Sequence, residues 1–465
     1  MPVGSSFRPE TPFADLGADF SDPVQPAAFP QQIERRFNLA HAKKIGLDGL
    51  TAEERISAFV RFEPLPEAQE DRLAVRYHGH QFRTYNPEIG DGRGFLYAQM
   101  REVGTERLLD FGTKGSGRTP WSRSGDGRLT LKGGVREVLA AEMLETLGVP
   151  TSKAFALYET GEALVRNDEP SPTRSAVLTR LSWSHVRFGA FQRLAYFDRP
   201  DLLKTLTDHV VEIYYPDLVD AADRPSAMFA AVTARAAELV ARWTAAGFVH
   251  GVLNTDNMNI TGESFDYGPW RFLPYSDPGF TAAYFDAAGL YAFGRQAPAV
   301  FWNLQQLAGA LTLITDAQPL VDALNGFGPL FQAALRRAVC DRLAVRQSGE
   351  EQDARLTEAT FALLAAGAPA LRWEPLFHDW RGGPSAEARA MSGPRAETYR
   401  TDAGVRFRQA LAGYEPLPAF IASDAVEPEE MLIDEVEAIW AAIDERDDWA
   451  PFHDKLARLA ALRAC

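Results

Sequence analysis

Asn257 and Asp266, nine residues apart, are the side chains from which this 465-residue sequence is read. They stand in His250-Gly251-Val252-Leu253-Asn254-Thr255-Asp256-Asn257-Met258 and in Asp266-Tyr267-Gly268. An amide oxygen and a carboxylate suit a hard divalent cation. Mg²⁺ takes few protein ligands and completes its shell with waters and nucleotide phosphates, and Mn²⁺ shares the same oxygen ligands. Asp256, next to the Asn, is the nearest second carboxylate and a candidate to orient or deprotonate a hydroxyl. Positive partners for phosphate lie upstream. Lys114 opens a long Gly/Arg-rich loop, Gly115-Ser116-Gly117-Arg118-Thr119-Pro120 and then Ser122-Arg123-Ser124-Gly125-Asp126-Gly127-Arg128, which lacks the Lys-Ser/Thr ending of a P-loop. Arg180 and Arg187 carry the planar fork of donors that matches phosphate oxygens. The string Gly90-Asp91-Gly92-Arg93-Gly94 permits close approach of backbone to a phosphate, and equally makes an ordinary turn. Taken singly, each of these charged residues is more often solvated surface than site; the case rests on their coexistence.

The elements that must position them follow from hydrophobic period. Residues 95–101 alternate and read as a strand, residues 102–106 as a hairpin turn, and residues 108–114 as a second strand that ends on Lys114. Residues 133–147 read as an amphipathic helix with Val135, Val138, Leu139, Ala141 and Leu144 on one face, stopped by Gly148 and Pro150. Glu137 lies in its first turns and pairs in principle with Lys114. Strands are expected at 154–158 and 176–181, the second carrying Arg180. Helices follow at 202–214 and 227–246, the latter apolar enough to be central and ended by Gly247. A short extended piece at 248–252 then delivers the Asp256 segment, and a second short strand ending at Phe265 delivers Asp266. Further helices are expected at 298–315, 331–343, 356–365 and 427–442, the last with acids near its start. The stretch 381–404 reads as polar loop, and a helical pattern around 30–37 reads as an arm packed on the main body.

Composition sets the class. Hydrophobic residues at 46% and charged residues at 24% are those of a globular protein with a large core. A net charge of −15 argues against nucleic-acid binding through a basic surface. Two cysteines, Cys340 and Cys465, make no disulfide framework and fit a reducing compartment. The first residues have neither the apolar core of a secretory signal nor the Arg-rich character of a transit peptide, and no run matches a membrane span, so a cytoplasmic location without membrane or nucleic-acid partners is the expectation.

The order of parts is similar to that of protein kinases, where a strand Lys pairs with a helix Glu, a His-led loop ends in a metal-binding Asn, and Asp-Phe-Gly holds metal. Here Asp266-Tyr267-Gly268 stands for the last of these. Val252 occupies the place of the kinase base, so an ordinary kinase is the weaker reading. More specifically, the chain resembles the selenoprotein O family, in its cysteine-containing bacterial form. The resemblance rests on His78-Gly79-His80-Gln81-Phe82, Gly90-Asp91-Gly92-Arg93, Lys114 through Pro120, Ser122 through Arg128, Arg136-Glu137, Thr179-Arg180, Ser184-His185-Val186-Arg187-Phe188-Gly189, the His250–Met258 segment with Asp266-Tyr267-Gly268-Pro269, Tyr291-Ala292-Phe293 and Trp302-Asn303-Leu304, in one consistent order from about residue 10 to 312.

That resemblance implies an α+β, protein-kinase-like two-lobed fold with an N-terminal extension (1–75), a nucleotide-binding lobe (76–200), a lobe with catalytic loop and metal site (201–345) and additional C-terminal helices (346–465). It implies ATP bound in a flipped orientation, AMP transfer to Ser, Thr or Tyr hydroxyls of proteins with release of pyrophosphate, and possible self-modification. By the same carry-over Lys114, Arg180 and Arg187 would hold phosphates and Glu137 would position Lys114. Gly90, Gly92, Arg93, Asp126 and Gly127 would line the nucleotide site. Asn257 and Asp266 would bind Mg²⁺ or Mn²⁺, Asp266 also facing the nucleotide, and Asp256 would accept the proton. The alternatives are uridylyl transfer from UTP and an inactive nucleotide-binding scaffold. The family's partner Cys is missing from Asp277-Pro278-Gly279-Phe280-Thr281-Ala282-Ala283-Tyr284, so redox control through Cys465 has no evident partner, and Cys340 reads as a core residue.

Overall fold

The computed structural model describes residues 3–167, 169–418 and 425–463. Its first half is built on one antiparallel sheet. In chain order the elements are β1 (Pro9–Glu10), β2 (Ser21–Val24), β3 (Ile33–Phe37), α1 (Leu39–Lys44), α2 (Ala52–Phe59), β4 (Arg72–Val75), a hairpin of β5 (Gly79–Gln81) and β6 (Thr84–Asn86), β7 (Leu96–Arg101), β8 (Leu108–Lys114), β9 (Leu129–Thr130), α3 (Leu131–Thr146), β10 (Lys153–Leu164) and β11 (Thr173–Ser182). Strand order is β2-β4-β7-β8-β11-β10-β3, with β1 paired to β7 and β9 to β11. Alternation along β11 shows why the sheet is buried on both faces: Ala176 and Leu178 join the core with α3, while Val177 and Leu181 join the opposite core with Phe59, Phe111 and Phe155.

The second half is helical: α4 (Phe188–Tyr196), α5 (Pro200–Tyr214), α6 (Arg224–Ala245), a two-stranded ribbon of β12 (Phe248–Val249) and β13 (Arg271–Phe272), then α7 (Gln296–Leu311), α8 (Ala317–Arg342), α9 (Glu350–Gly367), α10 (Trp373–Asp379), α11 (Glu387–Ser392), α12 (Ala396–Arg400), α13 (Asp402–Leu411), α14 (Ile433–Arg446) and α15 (Ala450–Arg463). Helix α6 starts on Asp223, whose carboxylate accepts from Ser226 N–H, and buries Met228, Phe229, Val232, Ala236, Ala237 and Val240. The chain's last helices return to the sheet half, where Lys132 of α3 meets Glu437 at 2.6 Å and Arg463 meets Glu142 at 2.6 Å. Among the described residues no helix is long and apolar enough to cross a membrane.

Four expectations are corrected. Residues 33–37 form a strand, not a helix: β3 closes one edge of the sheet against β10 (Leu157↔Arg36, Tyr158↔Glu34), and Arg35 pairs with Glu159 at 2.5 Å. Ladder bonds to a free edge outweigh local helical spacing. No strand ends at Phe265; the partner of β12 follows Asp266 instead, with Phe248 opposite Phe272. The polar stretch 381–404 folds into α11, α12 and the start of α13, because its charges are consumed internally: Arg395 grips Asp379 through two bonds of 2.7 and 2.8 Å, and Tyr399 is wholly buried. The last expected helix begins at Ile433 rather than 427 and is followed by another. The acids before it are tertiary partners, Glu427 of Arg395, Glu430 of Arg372 and Glu429 of Lys455. Cys340 is buried as expected, and Cys465 lies outside the described residues.

Candidate active site

The register of β8 with β11 starts the site. Leu178 lies opposite Lys114 and Arg180 opposite Gly112, so Lys114 and Arg180 project from the same face as diagonal neighbours, the face that α3 covers. Gly112 is required there, since a Cβ would lie 1.8 Å from the His185 ring. Helix α3, capped by Thr130 accepting from Gly133 N–H, brings Glu137 down onto both cations. Glu137 accepts from Lys114 Nζ at 2.6 Å and from Arg180 at 3.1 Å. Lys114, Glu137, Arg180 and Arg187 are each no more than 5% exposed.

Asp266 closes the cluster. Its Oδ1 accepts from Lys114 at 2.5 Å and lies 3.5 Å from Arg180; its Oδ2 lies 3.7 Å from Arg187. Burial alone would raise its pKa, but Lys114, Arg180, Arg187 and Arg93 together hold it well below the usual carboxylate range. Its φ of +63° is strained for a residue with a side chain. Strain of this kind persists where surrounding structure over-determines it. Here the neighbouring Phe265 carbonyl is fixed by the His250 ring at 3.0 Å. His250 is itself fixed, its N–H donating to Gln296. Burial lowers its pKa, so the ring is a neutral tie rather than a charge.

Arg187 is caged. Its guanidinium lies 4.6 Å from the Tyr77 ring and 4.7 Å from Phe265, 3.5 Å from Asp91, and donates to the Asp256 carbonyl at 2.8 Å. The Asp256 segment is held from behind: Asn303 donates to Leu253 O at 2.9 Å and Tyr291 to Asn254 Oδ1 at 2.8 Å. Burial raises the Asp256 carboxyl to about 6 against the pull of Arg187, and its Oδ1 is buried with no hydrogen-bond partner. Burial likewise raises Asp91, opposed by Arg187.

These groups line one cleft of about 670 Å³. Gly90, Gly92, Arg93, Lys114, Asp126, Gly127, Arg180, Arg187, Asp256 and Asp266 all border it, and Glu137 stands behind Lys114. Asp126 meets Arg166 at 2.8 Å at its rim. The glycines have a nearer task than phosphate contact. A Cβ at Gly90 would fall 2.5 Å from the Trp121 ring and one at Gly92 2.8 Å from the Trp121 carbonyl, so they let the 115–128 loop fold onto 90–94. Asn257 is half-buried beside the cleft; its amide donates to Val252 O at 3.0 Å, which leaves its oxygen as the free end. Asn257 and Asp266 offer an amide and a carboxylate oxygen, and among the described residues no three or more His, Cys, Asp or Glu gather to hold a metal. Sequence reasoning missed Tyr77, Gln81, Asp91 and Phe265. All four lie inside or beside strings it had singled out, but a cage around a guanidinium has no signature in spacing.

The family model described as protein adenylyltransferase SelO matches residues 5–379. A protein nucleotidyltransferase YdiU of Gloeobacter violaceus is 44% identical over 460 residues, covering 97% of this chain and 94% of that protein. Proteins of the same name in Synechococcus elongatus and Pseudomonas putida are 52% identical over 336 residues (72% and 67% of the two chains) and 40% identical over 357 residues (76% and 72%).

Proposed function

The chain belongs to the SelO family, and from that premise we propose that it is a protein adenylyltransferase of kinase-like, two-lobed architecture, moving AMP from ATP to Ser, Thr or Tyr hydroxyls of proteins. The observation that carries this reading is that Lys114, Arg180 and Arg187 converge on Asp266 in the cleft that Asp256 also borders. Three cations converging on Asp266, two of them also held by Glu137, beside an open cleft suit a polyphosphate, and transfer between phosphates and hydroxyls asks chiefly for charge neutralisation and in-line positioning.

In this reading ATP lies flipped, its terminal phosphates against Lys114, Arg180 and Arg187 and its α-phosphorus toward Asp256. The acceptor oxygen attacks the α-phosphorus, the bond from that phosphorus to the oxygen bridging to the β-phosphate breaks, and pyrophosphate leaves with the bonding electrons. The hydroxyl proton passes to Asp256. A carboxyl raised to about 6 is still largely ionised at neutral pH and is a better proton acceptor than an ordinary Asp. Glu137 keeps Lys114 extended. Val252, where a kinase would place its base, offers no carboxylate for γ-phosphoryl transfer. The donor set of Asn257 Oδ1 and Asp266 fits Mg²⁺ or Mn²⁺. Such a cation, when bound, would neutralise phosphate charge.

The test is intact-protein mass spectrometry after incubation with ATP and Mg²⁺, alone and with a cell lysate, beside Asp266→Ala. A mass gain of AMP that the variant lacks is expected. A gain of phosphate would mean the ordinary kinase orientation. No gain on any protein, with ATP still bound, would mean a nucleotide-binding scaffold. The relatives' names leave the base open, so a parallel incubation with UTP decides between adenylyl and uridylyl transfer.

A further inference from the structure

Among the described residues four Phe, Tyr or Trp side chains are exposed: Tyr196 (56%), Phe197 (53%), Tyr284 (83%) and Phe285 (51%). Single exposed rings need no explanation, whereas rings gathered in one place mark a surface that another molecule covers. All four gather on residues 78–86, the hairpin of β5 and β6 with the His that precedes it. From one side, Phe285 packs on Phe82 with ring centroids 5.8 Å apart, and Tyr284 packs on Phe285 at 5.1 Å. From the other, the end of α4 sets Tyr196 on Tyr85 at 5.4 Å, and Tyr196 and Phe197 on His78 at 5.3 and 5.4 Å.

That hairpin is continuous with the site. His80 N–H donates to Thr255 Oγ1 at 2.7 Å and Phe82 N–H to Asn254 Oδ1 at 3.0 Å, and Gln81 borders the cleft. Strands β5 and β6 pair as Gly79↔Asn86, His80↔Tyr85 and Gln81↔Thr84, which leaves Phe82 and Arg83 as a two-residue turn. Their φ angles are +49° and +64°, where Asn and Gly are the usual choice. Strain of this kind is kept where surrounding contacts fix it. Phe82 is fixed by its ring, which meets Phe285 on one hand and, at 5.0 Å, the buried Tyr291, whose hydroxyl holds Asn254. One side chain thus joins an exposed aromatic face to the segment that carries Asp256.

We propose that these rings are the docking surface for the acceptor polypeptide, which seats apolar side chains on them while its hydroxyl enters the cleft that Asp256 borders. This rests on the adenylyltransferase reading and names an acceptor chemistry that the reading leaves open. The occupant follows from continuity. A protein hydroxyl that enters the cleft brings polypeptide on both sides of it, and that polypeptide must lie on the surface around the mouth, of which residues 78–86 are a part. Aromatic rings suit such a contact, because they bury much area for little loss of side-chain freedom and are enriched in interfaces.

The experiment measures the initial rate at which the full chain incorporates α-phosphate-labelled ATP into lysate proteins. Affinity for ATP, Tm and mass in solution by light scattering are followed in parallel. The double variant Tyr284→Ser, Phe285→Ser is expected to lower the rate by on the order of tenfold, as loss of interface anchors does, with ATP affinity and Tm unchanged. Val321→Ser, which removes an exposed apolar side chain of α8, is the control and is expected to match wild type. Synthetic peptides carrying one Thr flanked by Phe should inhibit labelling of lysate proteins more strongly than the same peptides with Asn in place of Phe. A double variant as active as wild type, a loss of rate matched by loss of ATP affinity, a Val321→Ser variant that loses as much, or peptides that do not differ would each overturn the proposal. A wild-type dimer that the double variant converts to monomer would give the face to a second copy and overturn it likewise. Failure of the underlying reading shows separately, as wild-type protein that binds ATP and labels nothing, and would overturn both.

Discussion

Asp266 and Asp379 are both aspartates held by arginine, and they are built for opposite ends. Asp379 receives one Arg395 in a two-pronged pairing of 2.7 and 2.8 Å, and the Tyr399 hydroxyl at 2.6 Å. The same guanidinium also meets Glu427 at 2.9 Å, so its charge is taken up by two carboxylates, and neither Asp379 nor Arg395 lines the cleft that Asp266 borders. Asp266 meets three cations at 2.5, 3.5 and 3.7 Å, on a strained backbone, at the wall of a 670 Å³ cleft. A guanidinium whose donors are taken up by two carboxylates in good geometry is closed and serves the fold. Asp266 is approached by three cations at unequal distances and stands on a cleft wall, where an anionic ligand can compete for them.

The largest expected effect breaks the symmetry on the Asp266 side. Lys114→Met should lower transfer per folded molecule by on the order of 10²-fold or more, the size of effect seen when a preorganised charged group is lost, with far-ultraviolet circular dichroism and Tm recorded alongside to set the folded fraction. On the other side, Arg395→Met leaves the buried Asp379 without its cation. Breaking a buried pair costs about 3–5 kcal/mol, so denaturant unfolding should show a large loss while activity per folded molecule is kept. If Arg395→Met instead lost activity at full stability, the two sites would not be the opposites described here.

Ligand response sharpens the contrast. Pyrophosphate should raise the Tm of wild type through mass action on the folded state and raise it less in Arg187→Met. The shift in Arg395→Met should match that of wild type, though from a lower starting point.

The smallest effect concerns a third carboxylate, Glu263, which lacks both devices. Its bond is to Trp183 N–H at 2.8 Å, and burial pushes it up to about 7 against the pull of Lys153 and Arg107. A folded pKa above the unfolded value of about 4.3 means that stability is present below the unfolded pKa and is lost as pH rises through about 7. Glu263→Gln should therefore gain in Tm relative to wild type as pH is raised from about 4.3 through about 7. A difference between the two that is flat with pH would refute the assignment.

Much of the cleft was legible before the structure. Lys114 at a strand end, Glu137 in the first turns of an amphipathic helix, Arg180 on the neighbouring strand and Asp256 shortly after a short extended piece stand where spacing put them, whereas the strand expected to end at Phe265 does not form. The reason is local: a period of two or of 3.6 fixes which side chains share a face, and Gly and Pro mark where elements stop. The fold was less legible where residues have no local reason for their state. Residues 33–37 carry a helical spacing and become a strand because an edge of β10 is waiting for them. Residues 381–404 look like loop because their ion pairs, from Arg395 to Asp379 and from Glu387 to Arg408, reach other parts of the chain rather than solvent.

The sequence by itself determined the chemistry on offer: three cations, an amide and a carboxylate oxygen of the kind a hard cation takes, a second carboxylate beside them, and the order in which a kinase-like chain would present them. Tertiary structure alone decided that Arg187 stands between Tyr77 and Phe265 with Asp91 behind it, that Trp121 rather than open space lies against Gly90 and Gly92, and that the hairpin 79–86 is hydrogen-bonded to Asn254 and Thr255. Such contacts join residues far apart in the chain. Their geometry comes from strand register and helix packing, which no single stretch of sequence contains.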